Sequence, residues 1–237
     1  MLNSLKLKPG SKPSKQINYK EKVSVEYNNK KYLVITIPTK INGEIKNIPV
    51  VIDNDDYDKI KNIRWHRTGK YISFGEIYLH QFIMNHQFDG KLYVDHINRI
   101  CQDNRKENLR LATQTEQNYN QCKRKRNVEV PENCGFNADD IPTNIDYIHS
   151  SNCFEIVIKM NGIKVFRKKT TKSKKVTLIQ KLQDAKDIIE NLKVEHPEYF
   201  ENRCLNGELF ENGKKLYTSH FEILKLAKVI DPIHTLV

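Results

Sequence analysis

The chain has 237 residues, and 40 lysines and arginines against 29 acidic residues leave a formal charge of +11. That surplus points to a polyanionic partner, nucleic acid first and anionic membrane second, while 38% hydrophobic and 9% aromatic residues argue against wholesale disorder. No apolar run approaches the ~20 residues of a membrane span, and five cysteines without a C-x-x-C pair disfavour both a disulfide framework and a zinc ribbon.

Residues 1–22 read as a basic tail without the apolar core of a signal peptide. The β-branched runs "YLVITIP" and "IPVVID" predict two strands joined through Asn42-Gly43, a hairpin turn pair. "NDDYDKIKNIRW" predicts a short helix capped by Asn54, with Asp55, Asp56 and Asp58 at its positive end. "YISF" is a further strand, and "IYLHQFIMN" a strand running into helix. "LYVDHI" (92–97) and "NLRLA" (108–112) predict two strands joined by the polar, charged loop "NRICQDNRKE". A helix follows from Thr113, where Thr113 and Glu116 form a capping box, and it ends in "CKRKRN". Two prolines and an acidic shift mark a linker over 128–144. "FEIVIKM", the pair Asn161-Gly162 and "IKVFRKK" predict a hairpin rich in lysine. A helix then places Leu178, Leu182, Ala185, Ile189 and Leu192 on one face. Asn212-Gly213 reads as another turn, with a last helix from Ser219, whose partner in a second capping box is Glu222.

The chemistry concentrates at Asp95-His96. Neighbours on a strand point to opposite faces, so one side chain can meet a metal and the other a water. A carboxylate is a hard oxygen ligand suited to Mg²⁺, and histidine is the usual proton acceptor near neutral pH. Together they could activate water against a phosphodiester. Arg105 and Arg110 could pair with phosphates, as could Lys123, Arg124, Lys125 and Arg126.

Leu79-His80, Val94 to Ile97, Asp103-Asn104-Arg105, Asn108-Leu109-Arg110, Ala112-Thr113 and Asn120 stand at the offsets of a known pattern. It resembles the HNH endonuclease motif in its phage, giant-virus and mobile-element form, over roughly residues 30 to 127. The resemblance implies an α+β fold with a ββα-metal (His-Me finger) nuclease core: two strands and a helix around one divalent ion, Mg²⁺ or Mn²⁺. It implies His96 as general base, Asp95 as metal ligand, and Asn108 pinning the loop. The products would be 5′-phosphate and 3′-hydroxyl ends of double-stranded DNA. The third motif position falls on Gln117, with an asparagine one residue later. Asn118 is preferred by residue type and Gln117 is the alternative; neighbours on a helix point about 100° apart.

The expected organisation is a tail (1–22), a nuclease domain with N-terminal strands (23–127), a linker (128–144) and a β-hairpin-plus-helix domain (145–237). The last resembles, in the order of its elements, the three-strand-plus-helix DNA-binding modules attached to mobile-element HNH enzymes. Lys164, Arg167, Lys168 and Lys169 would meet phosphate there, since a two-stranded ribbon fits the major groove. The expectation is a homing-type endonuclease in a reducing cytoplasmic or nuclear compartment. The alternative is a DNA-binding protein on a decayed nuclease fold. Monomer and homodimer stay open.

Overall fold

The computed structural model describes residues 22–87, 89–160, 162–200, 205–229 and 231. The basic tail up to residue 21, Asn161 of the expected turn pair, and Cys204 lie outside the described residues. The described residues group into two compact units, one drawn from Met1–Asn118 with Leu209–Val237, the other from Tyr119–Glu208. The second unit is thus inserted in sequence between two parts of the first. The expected domain over 145–237 is cut differently, because the last helix clusters with the first unit.

The first unit opens on an antiparallel meander of β1 (Lys22–Tyr27), β2 (Lys30–Ile41) and β3 (Glu44–Asp53), in that spatial order. Asn28 and Asn29, and then Asn42 and Gly43, all have positive φ, which two-residue hairpin turns require and which asparagine and glycine tolerate best. One sheet face packs Leu33, Ile35, Ile37, Val50 and Ile52 against Ile60, Trp65, Ile72 and Leu79. The other packs Val25, Tyr32, Val34 and Val51 against Ile223, Leu224 and Ala227. Burial on both faces explains why "YLVITIP" is continuously apolar instead of alternating.

Asn54–Asp56 form a single 3-10 turn leading into α1 (Tyr57–Ile60), and Asn54 makes no cap. The small sheet of β4 (His66–Thr68), β5 (Tyr71–Phe74) and β6 (Ile77–Tyr78) runs directly into α2 (Leu79–Met84). β7 (Tyr93–His96) pairs antiparallel with β8 (Leu109–Ala112), and α3 (Gln114–Tyr119) follows. The Thr113–Glu116 capping box is present: the Thr113 amide donates to Glu116 at 2.7 Å, and the Glu116 amide donates back to Thr113 Oγ1 at 3.3 Å. The helix stops at Tyr119, so Lys123 to Arg126 lie on irregular chain and not on a helix end.

In the second unit β9 (Ile145–Ile148), β10 (Cys153–Met160) and β11 (Ile163–Lys169) form a sheet in the order β11-β10-β9. α4 (Leu178–Glu195), capped by the reciprocal Thr177–Gln180 box, packs Leu182, Ala185 and Ile189 onto Ile145, Tyr147, Phe154 and Ile156. The opposite sheet face stays open.

α5 (Glu211–Leu226) returns to the first unit. It begins eight residues before the expected start at Ser219, and Asn212-Gly213 lies inside it, not in a turn. Local sequence favoured a turn; close packing of the helix favours glycine for another reason, developed below. No helix among the described residues is long and apolar enough to cross a membrane.

Candidate active site

The β7–β8 register sets Asp95 opposite Arg110 and His96 opposite Leu109. Cross-strand opposition of unlike charges is favourable. Both Nε and Nη2 of Arg110 donate to Asp95 Oδ2, at 3.2 and 3.1 Å. Asp95 is half-buried. The next side chain, His96, points the other way and is only 4% exposed. Its ring lies 4.9 Å from that of His80 and 6.1 Å from that of Tyr71.

Burial pushes the His96 imidazole down to about 4, against the opposing charge of Asp103 and a hydrogen bond with Asn104. Burial, with help from His96, pushes His80 down to about 3. Both rings are therefore neutral near pH 7, and the same burial makes each a weaker base than an exposed histidine.

The connection from β7 to β8 is polar in sequence yet buried in structure. Asn98, Gln102, Asp103, Asn104, Arg105 and Asn108 are each at most 2% exposed. A buried polar loop must satisfy its own donors and acceptors. The Val51 amide donates to the Gln102 carbonyl and the Asn104 amide to the Val51 carbonyl, so the loop hydrogen-bonds to the edge of β3. Asn108 closes it: its Oδ1 accepts from the Asn98 amide at 2.9 Å and its Nδ2 donates to the Asp103 carbonyl at 2.8 Å. The Ile97 amide donates to the Asn108 carbonyl. One asparagine thus ties the residues just after His96 to the residues just before β8.

Arg105 was expected on phosphate. It is fully buried instead. Its guanidinium donates to both oxygens of Asp103 at 2.7 Å, to Glu107 at 2.8 Å, to the Leu216 carbonyl at 3.1 Å and to Ser219 Oγ at 3.0 Å. Burial works against its charge, but the Asp103 bonds and the nearby acids prevail and hold it above its usual range. A guanidinium with its fork filled has nothing left for DNA.

Gln117 is half-buried on α3, and Asn118 is exposed, its Oδ1 accepting from Gln114 at 3.2 Å. Lys123 donates to the Asp139 carbonyl, and Arg126 to Asp146 at 3.1 Å and to the Pro142 carbonyl. These two basic residues brace their own segment, while Arg124 and Lys125 are exposed. On β11, Arg167 and Lys169 share Glu155, at 2.8 and 3.4 Å. Lys164 lies opposite Lys159 beyond a register shift, and the two line an open groove with Asp146 and Glu155. By strand alternation Lys168 stands on the other face from Arg167 and Lys169.

Sequence reasoning missed the contributions of Asn98, Leu216, Ser219 and His220. A clue to the first was present: Ile100 and Cys101 are apolar in the middle of a polar loop, and both are buried. The contacts from α5 have no local signal, being more than 100 residues away in sequence.

Comparison with known proteins supports this reading of the hairpin. Residues 78–119 match the family model described as HNH endonuclease, so the chain carries an HNH endonuclease-family segment spanning α2, the β7–β8 hairpin and α3. An uncharacterized protein of Acanthamoeba polyphaga mimivirus is 31% identical over 193 residues, covering 74% of this chain and 56% of that protein. The chain thus spans little more than half the length of this curated relative. No solved structure matches the chain.

Proposed function

We propose that the protein is a metal-dependent DNA endonuclease of the homing or mobile-element type. The observation that carries this reading is one hairpin holding three motif positions: Asp95 and His96 end β7, and Asn108 locks the loop that returns to β8. The ββα-metal arrangement rests on that hairpin and on α3 directly after it.

The donor chemistry of Asp95, Gln117 and Asn118 suits a hard divalent cation. Asp95 offers a carboxylate that a guanidinium already partners, and Gln117 and Asn118 offer amide oxygens; oxygen donors suit Mg²⁺ or Mn²⁺. Asp95 would hold the ion with Asn118, or with Gln117 in its place. When bound, the ion would supply charge neutralisation at the scissile phosphate. His96, neutral at working pH, takes the proton of the attacking water at its imidazole. The Asn108 bonds keep the His96 backbone in register with β8. Arg110, now paired with Asp95, would be released toward phosphate if a cation took the same carboxylate.

On the open sheet face of the second unit, Lys159, Lys164, Arg167 and Lys169 would follow the backbone of double-stranded DNA, with Arg124 and Lys125 adding exposed charge.

The test is nicking of supercoiled plasmid with Mg²⁺ or Mn²⁺. The full chain should convert plasmid to open circle, and His96→Ala should slow this by about 10²–10⁴-fold while still shifting DNA on a gel. If the full chain binds DNA and cuts nothing with either ion, it is a DNA-binding protein on a nuclease fold.

A further inference from the structure

Helix α5 lies far along the chain from the HNH segment, yet it is bonded into the floor of the nuclease loop. The Leu216 carbonyl accepts from Asn98 Nδ2 at 3.3 Å and from Arg105 at 3.1 Å. Ser219 accepts from the same guanidinium. His220, fully buried, places Nδ1 3.6 Å from Asp103 Oδ2. Asp103 in turn accepts from Asn98 Nδ2 at 2.6 Å, and its carbonyl accepts from Asn108. An unbroken chain of polar contacts therefore runs from α5 through Asp103 to Asn108 and the residues following His96.

The helix also approaches the end of β7 closely at Gly213. A Cβ at Gly213 would stand 3.1 Å from the Ile97 carbonyl oxygen, tighter than an ordinary van der Waals contact. Ile97 is the residue after His96. Gly213 lies in the first turn of α5, where glycine permits backbone approach at the end of β7. A buried polar network bonded across helix and loop tends to hold them in one arrangement.

We propose that α5 is part of the nuclease site, with Gly213 and His220 as positioning residues that set the loop carrying Asn108 and thereby the placement of Asp95 and His96. The inference rests on the nuclease reading for its catalytic consequence, though not for its geometry. The HNH segment would then be incomplete until the chain returns after residue 208.

Three variants test this in the full chain: Gly213→Ala, and His220→Leu beside His220→Gln. Single-turnover plasmid nicking with Mn²⁺ gives the rate, gel titration gives DNA affinity, and thermal melting monitors the fold. Amide NMR follows Ile97, Asn98 and the Asn108 side chain. Gly213→Ala should stay folded, the better helix propensity of alanine offsetting part of the crowding against the Ile97 carbonyl. It should nick about tenfold more slowly, because small misplacements at a site are costly, with DNA affinity unchanged and the Ile97 and Asn98 resonances shifted. His220→Leu should lose at least as much, and His220→Gln should recover most of it, since its amide can still face Asp103. Nicking at the parent rate in Gly213→Ala and His220→Leu, with those resonances in place, overturns the proposal. If His220→Leu does not fold, Gly213→Ala decides alone. If the parent cuts nothing, the nuclease reading fails, and the resonances still decide whether α5 sets the loop.

Discussion

Arg105 shows how one residue can be chemically suited to DNA and structurally committed elsewhere. Its planar fork suits phosphate, but it equally suits a buried carboxylate, and here Asp103 meets it at Nε and Nη2 while Glu107 and α5 also accept from it. Glu107 is itself held by Lys30 at 2.7 Å and by the Tyr32 hydroxyl at 3.0 Å. The guanidinium also lies 5.3 Å from the Tyr32 ring centroid, a cation–π distance. Deleting one member of such a buried pair leaves the other charged without compensation, which costs about 3–5 kcal/mol. Arg105→Met should therefore lower the stability measured by urea denaturation by about that amount. At temperatures where the variant stays folded, the salt dependence of its DNA binding should match the parent's. A normal denaturation midpoint with a shallower salt slope would return Arg105 to the DNA surface.

At the scale of elements, α3 is short: six residues, fewer than an isolated helix needs in water. Its start depends on the Thr113–Glu116 box, whose hydrogen bonds hold the Glu116 carboxyl below its usual range with a smaller contribution from the Arg110 charge. Glu116→Ala should cost about 1 kcal/mol of local helix stability. Because Gln117 and Asn118 follow immediately, Mn²⁺ affinity measured by electron paramagnetic resonance should fall severalfold while the global melt moves little. Unchanged Mn²⁺ binding would separate α3 from the metal. This box was legible in the sequence, as were the β7–β8 strands, the Asn42-Gly43 turn and the apolar face of α4. Each is written in spacing over a few residues. What stayed hidden was set by distant packing. The loop from Ile97 to Asn108 reads as exposed because its residues are polar, but its partners are backbone groups of β3 and α5. Gly213 reads as a turn because Asn-Gly usually is one, whereas the helix uses it to approach Ile97. β1 escaped notice because its alternation is short, and the Asn28–Asn29 turn lacks glycine.

For the whole molecule, a charge of +11 says less about where a polyanion would bind than the way cations are paired. Several basic groups are spent internally: Arg105 in the β7–β8 loop, Lys123 and Arg126 in their own segment. The open sheet face of the second unit gathers Arg167 and Lys169 around Glu155, whose carboxyl the Arg167 hydrogen bond holds below its usual range. These exposed pairs contribute little to stability, so removing the acid should leave the fold intact. It should change binding. With Glu155→Gln the two cations no longer have a carboxylate competing with phosphate. Counterion release adds close to one unit of log–log salt slope per phosphate neutralised. The variant should therefore bind nonspecific duplex more tightly at low salt, with a slope steeper by about one to two units, as read from fluorescence anisotropy between low and moderate salt. Glu155 would then act as a brake on indiscriminate binding, leaving discrimination to contacts with base edges. A slope identical to the parent's would mean that DNA does not lie on this sheet face.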